Sequence, residues 1–349
     1  MLLRALLPSL LSLALVACGS SDDAPGRTPG VTTGAGGAAG AAGATGGAGD
    51  AGAGAGGGAG LGGRAGGAPV VPTRIATFNT ENLFNDKIDG EPWVQGEADS
   101  TPTPAQYQTK LASVAKILAL TKADVIALQE VENQAVLDAL AARPELGKSF
   151  PTRVLVPGND PRGIDVALLS IYPTVEVISH KDELFTGSTS MGETYKFSRD
   201  CLEVHLAVDG VRLALLVSHF KAKTSDNPAK RLAEAQRTRA IADGVMAKYP
   251  NAAVIILGDF NDFPGSPPVD ALQGAAPALF SSSALTLPPG DAWTASYNGQ
   301  ARLHDDHRVN PLLDAARVPG SVVILHDAML PKELAGTSDH APVAATYEL

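Results

Sequence analysis

Two hydrophobic periods organise residues 73–349 of this chain. A period of two runs through TRIATFN (73–79), CLEVHLAV (201–208) and VRLALLVSH (211–219), and alternation of that kind marks strands. DVIALQEV (124–131), RGIDVALLS (162–170) and AAVIILGD (252–259) are short apolar runs that read as buried core strands. Asp209-Gly210, between two alternating runs, predicts a tight hairpin. Helical spacing appears in QYQTKLASVAKILALTK (106–122), where Leu111, Val114, Ile117 and Leu118 share a face, and a second long helix is predicted over 228–248. A shorter helix follows Asn133, and SVVILHD and APVAATYEL supply two last strands. Strand–helix alternation mixed with hairpins predicts an α/β chain: two mixed sheets packed face to face, with helices outside.

Polar residues gather at one end of these strands. Asn79, Glu130, His219 and Asp259 each stand at the carboxyl end of an apolar run, Asn261 follows Asp259 by two, and Ser338-Asp339-His340 precedes the last strand. In layered α/β folds such ends converge on one cleft. In VIILGDFNDF (254–263), alternation puts Asp259 and Asn261 on one side and Phe260 on the other. Taken alone, that stretch also fits a strand followed by an Asp/Asn turn bonded to its own backbone. Repetition of the pattern at six places favours a site.

The amino-terminal fifth is different. MLLRALLPSLLSLALVAC has one basic residue and an apolar stretch too short to span a bilayer, so residues 1–17 read as an export signal. Leu15-Val16-Ala17-Cys18 resembles a bacterial lipobox, which implies lipidation of Cys18. Residues 18–68 are mostly Gly and Ala, the composition of a flexible tether with a reach of roughly 40 Å. The expected product is exported and held at the cell envelope, or extracellular, touching the membrane only through its lipid. Residues 69–349 then form one domain, and Cys201 is its single cysteine, a buried free thiol. That domain keeps 24 basic against 34 acidic residues, so affinity for a polyanion needs a local basic patch or a metal.

TFNTENLF, LQEVEN, RGIDVALLS, VSHFKAK, ILGDFND and GTSDHAPV, in that order, resemble the endonuclease/exonuclease/phosphatase superfamily, and most of all its secreted bacterial branch. The resemblance implies a four-layer α/β sandwich and a metal-dependent phosphoesterase. A lone strand-end carboxylate such as Glu130 suits Mg²⁺, with Mn²⁺ or Ca²⁺ as alternatives, and by resemblance Asn79 and Asp339 complete or flank that site. His340 is implied as general base or transition-state stabiliser, with Asp305 as its partner acid, although Asp306 stands beside it and the choice stays open. Asp259 is implied to orient or deprotonate the attacking water, and Asn261 to hold that water or a phosphate oxygen. His219 is implied to donate to the phosphoryl group. Asp165, costly in a core strand unless paired, is expected to partner it. His180, His205, His304, His307 and His326 match no motif and read as surface or local.

Arg162, Lys221 and Lys223 form a candidate phosphate-binding patch; His219, Lys221 and Lys223 align if the strand continues. A basic strand edge that discourages sheet pairing is the alternative. The expected activity is a monomeric, surface-anchored phosphodiesterase acting on nucleic acid. A phosphomonoesterase or sphingomyelinase-like phospholipase C, and a catalytically silent binding module, are the alternatives. Loops 85–104, 181–199 and 281–302 are expected to set the substrate, and the aromatic content of 5% gives little sign of a base-stacking surface.

Overall fold

The structure is a computed structural model that describes residues 70–87 and 101–349, except 225, 278 and 298. The export signal, Cys18, the tether and most of the 85–104 loop lie outside the described residues. Two six-stranded mixed sheets are present. The first runs β13 (Val323–Ile324), β14 (Val343–Glu348), β1 (Pro72–Leu83), β2 (Val125–Val131), β4 (Asp165–Ser170), β3 (Thr152–Leu155). The second runs β5 (Thr174–Ser179), β6 (Cys201–Val208), β7 (Val211–His219), β8 (Ala253–Asp259), β12 (Asp305–Val309), β9 (Ser281–Ser282). A separate hairpin, β10 (Ala295–Tyr297) and β11 (Gln300–Arg302), stands beside them.

Each sheet has one parallel pair, β1/β2 and β7/β8, and each pair is joined through a long helix, as a parallel crossover requires. These are α1 (Pro104–Thr121) and α3 (Pro228–Lys248). The first starts on a Thr103/Gln106 capping box with Pro104 in the first turn; the second on Asn227, which accepts from the Lys230 N–H at 2.9 Å. Three shorter helices are α2 (Gln134–Ala141), α4 (Pro267–Gln273) and α5 (Pro311–Ala315).

The period of two decides which residues enter which layer. Ile75, Val125, Ala127, Val166 and Leu168 meet Leu213, Leu215, Val217, Ile255 and Leu257 between the sheets. Their neighbours Ala76, Ile126, Leu128, Ala167 and Leu169 pack outward against α1 and α2, while Ala214, Leu216, Val254 and Ile256 pack outward against α3. The result is the four-layer sandwich. The hairpin expected at Asp209-Gly210 forms with both residues left-handed, at φ 44° and 88°.

Two histidines expected to be surface or local are core residues: His205 and His307 have no exposure. His205 belongs to a network on the outer face of β6. Glu203 takes His180 Nε2 at 2.9 Å on one oxygen and His205 Nε2 at 2.5 Å on the other, while His180 Nδ1 reaches Glu183 at 2.7 Å. Burial alone would raise the Glu203 carboxyl, but the two imidazoles outweigh it and bring it from 4.5 to about 2. Burial likewise opposes protonation of His180, and Glu203 and then Glu183 outweigh it, lifting it above 6.5. A depressed carboxyl stabilises the fold above its unfolded value and loses that stability as pH falls from 4.5 towards 2. A raised imidazole stabilises below 6.5 and loses that stability as pH rises through its folded value. Between pH 4.5 and 6.5 both contributions are present. Glu203→Gln is expected to cost on the order of 2 kcal/mol there, about 5 °C in Tm, and to flatten both limbs of the profile. Parallel Tm–pH curves for variant and wild type would contradict this.

Candidate active site

The carboxyl ends of β7 and β8 and the start of β12 put three ionisable residues in one cross-strand row. His219 is paired with Asp259, and Asp259 with Asp305. Gly258 lets the row form: its φ is 133°, and a Cβ there would lie 2.0 Å from the Ser218 carbonyl oxygen. From the facing sheet, Asn79 Nδ2 reaches across to Asp259 Oδ2 at 3.1 Å and to Glu130 Oε1 at 3.3 Å. One amide thus ties the two sheets together at the site.

His340 closes the row. Its Nδ1 lies 2.6 Å from Asp305 Oδ2, and its Nε2 points to the centre, 3.9 Å from Asp259 Oδ2. Asp305 is the partner acid, and the choice left open by the sequence is resolved. Asp306 faces the other way, where it sits 3.0 Å from Arg308 and accepts from the backbone of Ala284 and His307. Burial would keep His340 neutral, but Asp305 and then Asp259 outweigh it and hold the imidazole well above 6.5. The two carboxylates thus favour the protonated ring of His340, with Nε2 facing the centre. Burial similarly opposes ionisation of Asp259, yet His340, His219 and His304 keep its carboxyl below the ordinary range. His219 goes the opposite way: burial and then Arg199 bring it to about 3, so it is neutral.

Glu130 has a left-handed backbone (φ 65°) at the register shift between Gln129 and Val131 of β2, with Oε2 accepting from the Asn82 N–H at 2.9 Å. Of the seven described non-glycine residues with positive φ, four are at this site: Glu81, Asn82, Glu130 and Asn261. Such backbone persists where the surroundings impose it, and it concentrates at functional sites. Lys110 approaches from α1, hydrogen-bonded to the Thr337 carbonyl and 3.9 Å from Glu81. Asp339 projects to solvent beside His340, its Oδ1 3.9 Å from Nε2.

Several expected placements need correction. Asp165 is held by the Gly158 N–H at 2.7 Å, and no hydrogen bond joins it to His219 among the described residues. Burial raises its carboxyl to about 7, which lowers the cost of keeping an acid in the core without a cation. The acid beside His219 is Asp259, 3.4 Å from Nε2. The strand carrying His219 stops there, so Lys221 and Lys223 do not continue its row. Lys221 Nζ turns to the Thr224 carbonyl and Lys223 to Asp262 at 2.9 Å. Arg162 pairs with Asp160 at 3.1 Å. Asn261 is not in strand register with Asp259: its left-handed backbone turns back, its N–H donating to Asp259 Oδ1 at 2.7 Å and its amide to the Phe220 carbonyl. His304, expected to be surface or local, is a neighbour of the site, with its ring 6.2 Å from that of His340.

Sequence reasoning missed Arg199 and Asp160. Arg199 is buried behind the site, 2.9 Å from Asp160 and donating to the Phe220 carbonyl at 3.0 Å. It acts electrostatically on both Glu130 and His219. A basic residue just before a core strand was the available signal.

The donor set fits a hard divalent cation. Burial and the nearby Asp259 charge push Glu130 up, against the Asn82 N–H, Arg199 and Asn79, so this carboxylate carries charge that a cation would relieve. Asp259, Asp305 and His340 also place ligand atoms within 4.8 Å of one another, but there His340 Nδ1 is already committed to Asp305. Fold and site together define a hydrolase of phosphate esters that works with a divalent metal.

Residues 74–278 match the profile of the Endonuclease/Exonuclease/phosphatase family, and the chain belongs to that family. Solved structures share its fold. Truncated TDP2 of Caenorhabditis elegans is 16% identical, with a TM-score of 0.54 over 80% of this chain and 98% of that one. D. rerio TDP2 complexed with single strand DNA product is 17% identical, with a TM-score of 0.53 over 80% and 99%. An endonuclease/exonuclease/phosphatase from Bacteroides vulgatus is 16% identical, with a TM-score of 0.52 over 80% and 99%. No curated protein matches the chain by sequence.

Proposed function

We propose that this protein is a Mg²⁺-dependent phosphodiesterase that cleaves extracellular nucleic acid as a monomer, held at the cell envelope by a lipid on Cys18. The observation that carries the catalytic reading is the His219–Asp259–Asp305 row closed by His340 at 2.6 Å from Asp305 and faced by Asn79 and Glu130. Asp259, ionised and fixed by the Asn261 N–H, orients the attacking water. The His340 imidazolium donates from Nε2 to the phosphoryl oxygen as charge develops, and Asp305 fixes the ring. Neutral His219 adds a second donor without adding charge. Glu130, with Asn79 and Asp339, would hold Mg²⁺, whose role when bound is to neutralise charge on the phosphoryl oxygens. The single strand DNA product in the D. rerio TDP2 structure supports nucleic acid as the substrate class.

The test is plasmid and single-stranded oligonucleotide cleavage by the full chain with Mg²⁺, beside EDTA and His340→Ala samples. Cleavage lost in both controls supports the proposal. Intact nucleic acid together with turnover of sphingomyelin or a sugar phosphate would move the activity to a phospholipase C or a phosphomonoesterase.

A further inference from the structure

One aromatic ring at the rim of the site carries two cations. Lys223 Nζ lies 4.5 Å and Arg302 Cζ 4.8 Å from the centroid of Phe263. The three residues come from different segments, each anchored by a site residue. Lys223 follows His219 by four positions, Phe263 follows Asn261 by two, and Arg302 precedes Asp305 by three. Across the β10/β11 hairpin Arg302 pairs with Ala295, which in turn bridges His340. The cluster therefore borders the place where the phosphoryl group must sit.

Its charge is not used up internally. Tyr249, on the outer face of the second sheet, also meets two cations, Arg212 and Lys248, but Glu176 lies 3.8 Å and 3.6 Å from them. At the rim, Lys223 and Arg231 each lie 2.9 Å from Asp262, and Arg231 also meets Asp226 at 2.7 Å, so the charge left over there is that of Arg302. Among the described residues Arg302 has no carboxylate partner; its Nη2 donates only to the Gln300 side chain, at 2.5 Å. An exposed, unmatched guanidinium is unusual economy in a chain of net charge −10. Its planar group, centred 4.8 Å from the Phe263 centroid and exposed, keeps several N–H donors for a ligand. A flat cation beside a phosphate site matches a nucleobase followed by its phosphate; it offers nothing specific to an aliphatic or choline headgroup.

We infer that Arg302, supported by Phe263 and Lys223, binds the nucleotide next to the scissile phosphate. The base stacks on the guanidinium, and that nucleotide's own phosphate, not the scissile one, meets Arg302. This rests on the phosphodiesterase reading and narrows its substrate to polynucleotides.

The test separates binding from chemistry. Fluorescein-labelled dT10 is titrated against the full chain in EDTA and followed by anisotropy, for wild type, Arg302→Ala, Arg302→Lys and Phe263→Leu. Turnover of methyl p-nitrophenyl phosphate with Mg²⁺ is measured in parallel. Kd is expected to weaken about tenfold in Arg302→Ala, less in Phe263→Leu, and to recover only partly in Arg302→Lys. An unchanged Kd in Arg302→Ala overturns the inference, and full recovery in Arg302→Lys overturns its stacking part. Absence of small-diester turnover in wild type counts against the catalytic reading alone, because the Kd series still reports on the platform.

Discussion

His340→Ala is expected to lower kcat/KM for phosphodiester cleavage about 10³-fold, and Asp305→Asn about 10²-fold with an altered pH profile. The first change deletes the buried donor whose Nε2 faces the centre; the second keeps the ring and deletes the charge 2.6 Å from Nδ1. Burial by itself favours neutral His340, and Asp305 is the largest influence opposing it, followed by Asp259. With Asp305 present, the imidazolium persists well above pH 6.5. With Asn in its place the proton is lost at lower pH, so the alkaline limb of kcat/KM moves toward acid. A His340 acting as a neutral base gives the opposite signature, because a lower pKa would then extend activity toward acid pH. Initial rates between pH 5 and 10 for the three proteins decide the matter. An Asp305→Asn profile superimposable on wild type would remove His340's charge from the mechanism.

The layers of the fold were legible because strand alternation is a local property. Ile75 and Ala76 could be assigned to opposite faces from their spacing, and they do pack in different cores. The Asp209-Gly210 turn was legible for the same reason. What alternation could not supply was the chain path after a strand ends. Asn261 and Lys221 were placed by extending strands that stop at Asp259 and His219, and beyond those points turns set each direction. Partners were hard to read where they come from distant loops. Asp160 and Arg199 meet only because the segments before β4 and β6 fold together. The Asp305/Asp306 ambiguity is instructive: β12 is buried on both faces, so burial does not choose between them. Asp306 and Arg308 lie two apart, hence on one face, and neutralise each other there. Removing that self-contained pair leaves Asp305 for His340.

Glu130→Gln should abolish the response to metal while leaving the fold intact, which separates a ligand from a structural acid. In wild type, Mg²⁺ at about 100 times its Kd is expected to add roughly 2.7 kcal/mol, a rise of about 5–8 °C in Tm. The variant should show less than about 1 °C at the same concentration, and kcat should fall at least about 10²-fold. Its Tm in EDTA should stay within about 2 °C of wild type, because two effects oppose each other. Burial, reinforced by Asp259, makes the Glu130 anion unfavourable, so removing its charge relieves the fold at neutral pH. Against this, a Gln can accept from only one of Asn82 N–H and Asn79 Nδ2, where the carboxylate accepts from both. A structural Glu130 predicts the reverse pattern: a large Tm loss in EDTA and an undiminished shift with Mg²⁺. Retention of the Mg²⁺ shift would transfer the metal to the Asp259, Asp305 and His340 group. His340 could not then remain bonded to Asp305 as an imidazolium, so the same result would also overturn the pH profile expected of Asp305→Asn. The two experiments therefore test one arrangement of charge from its two ends.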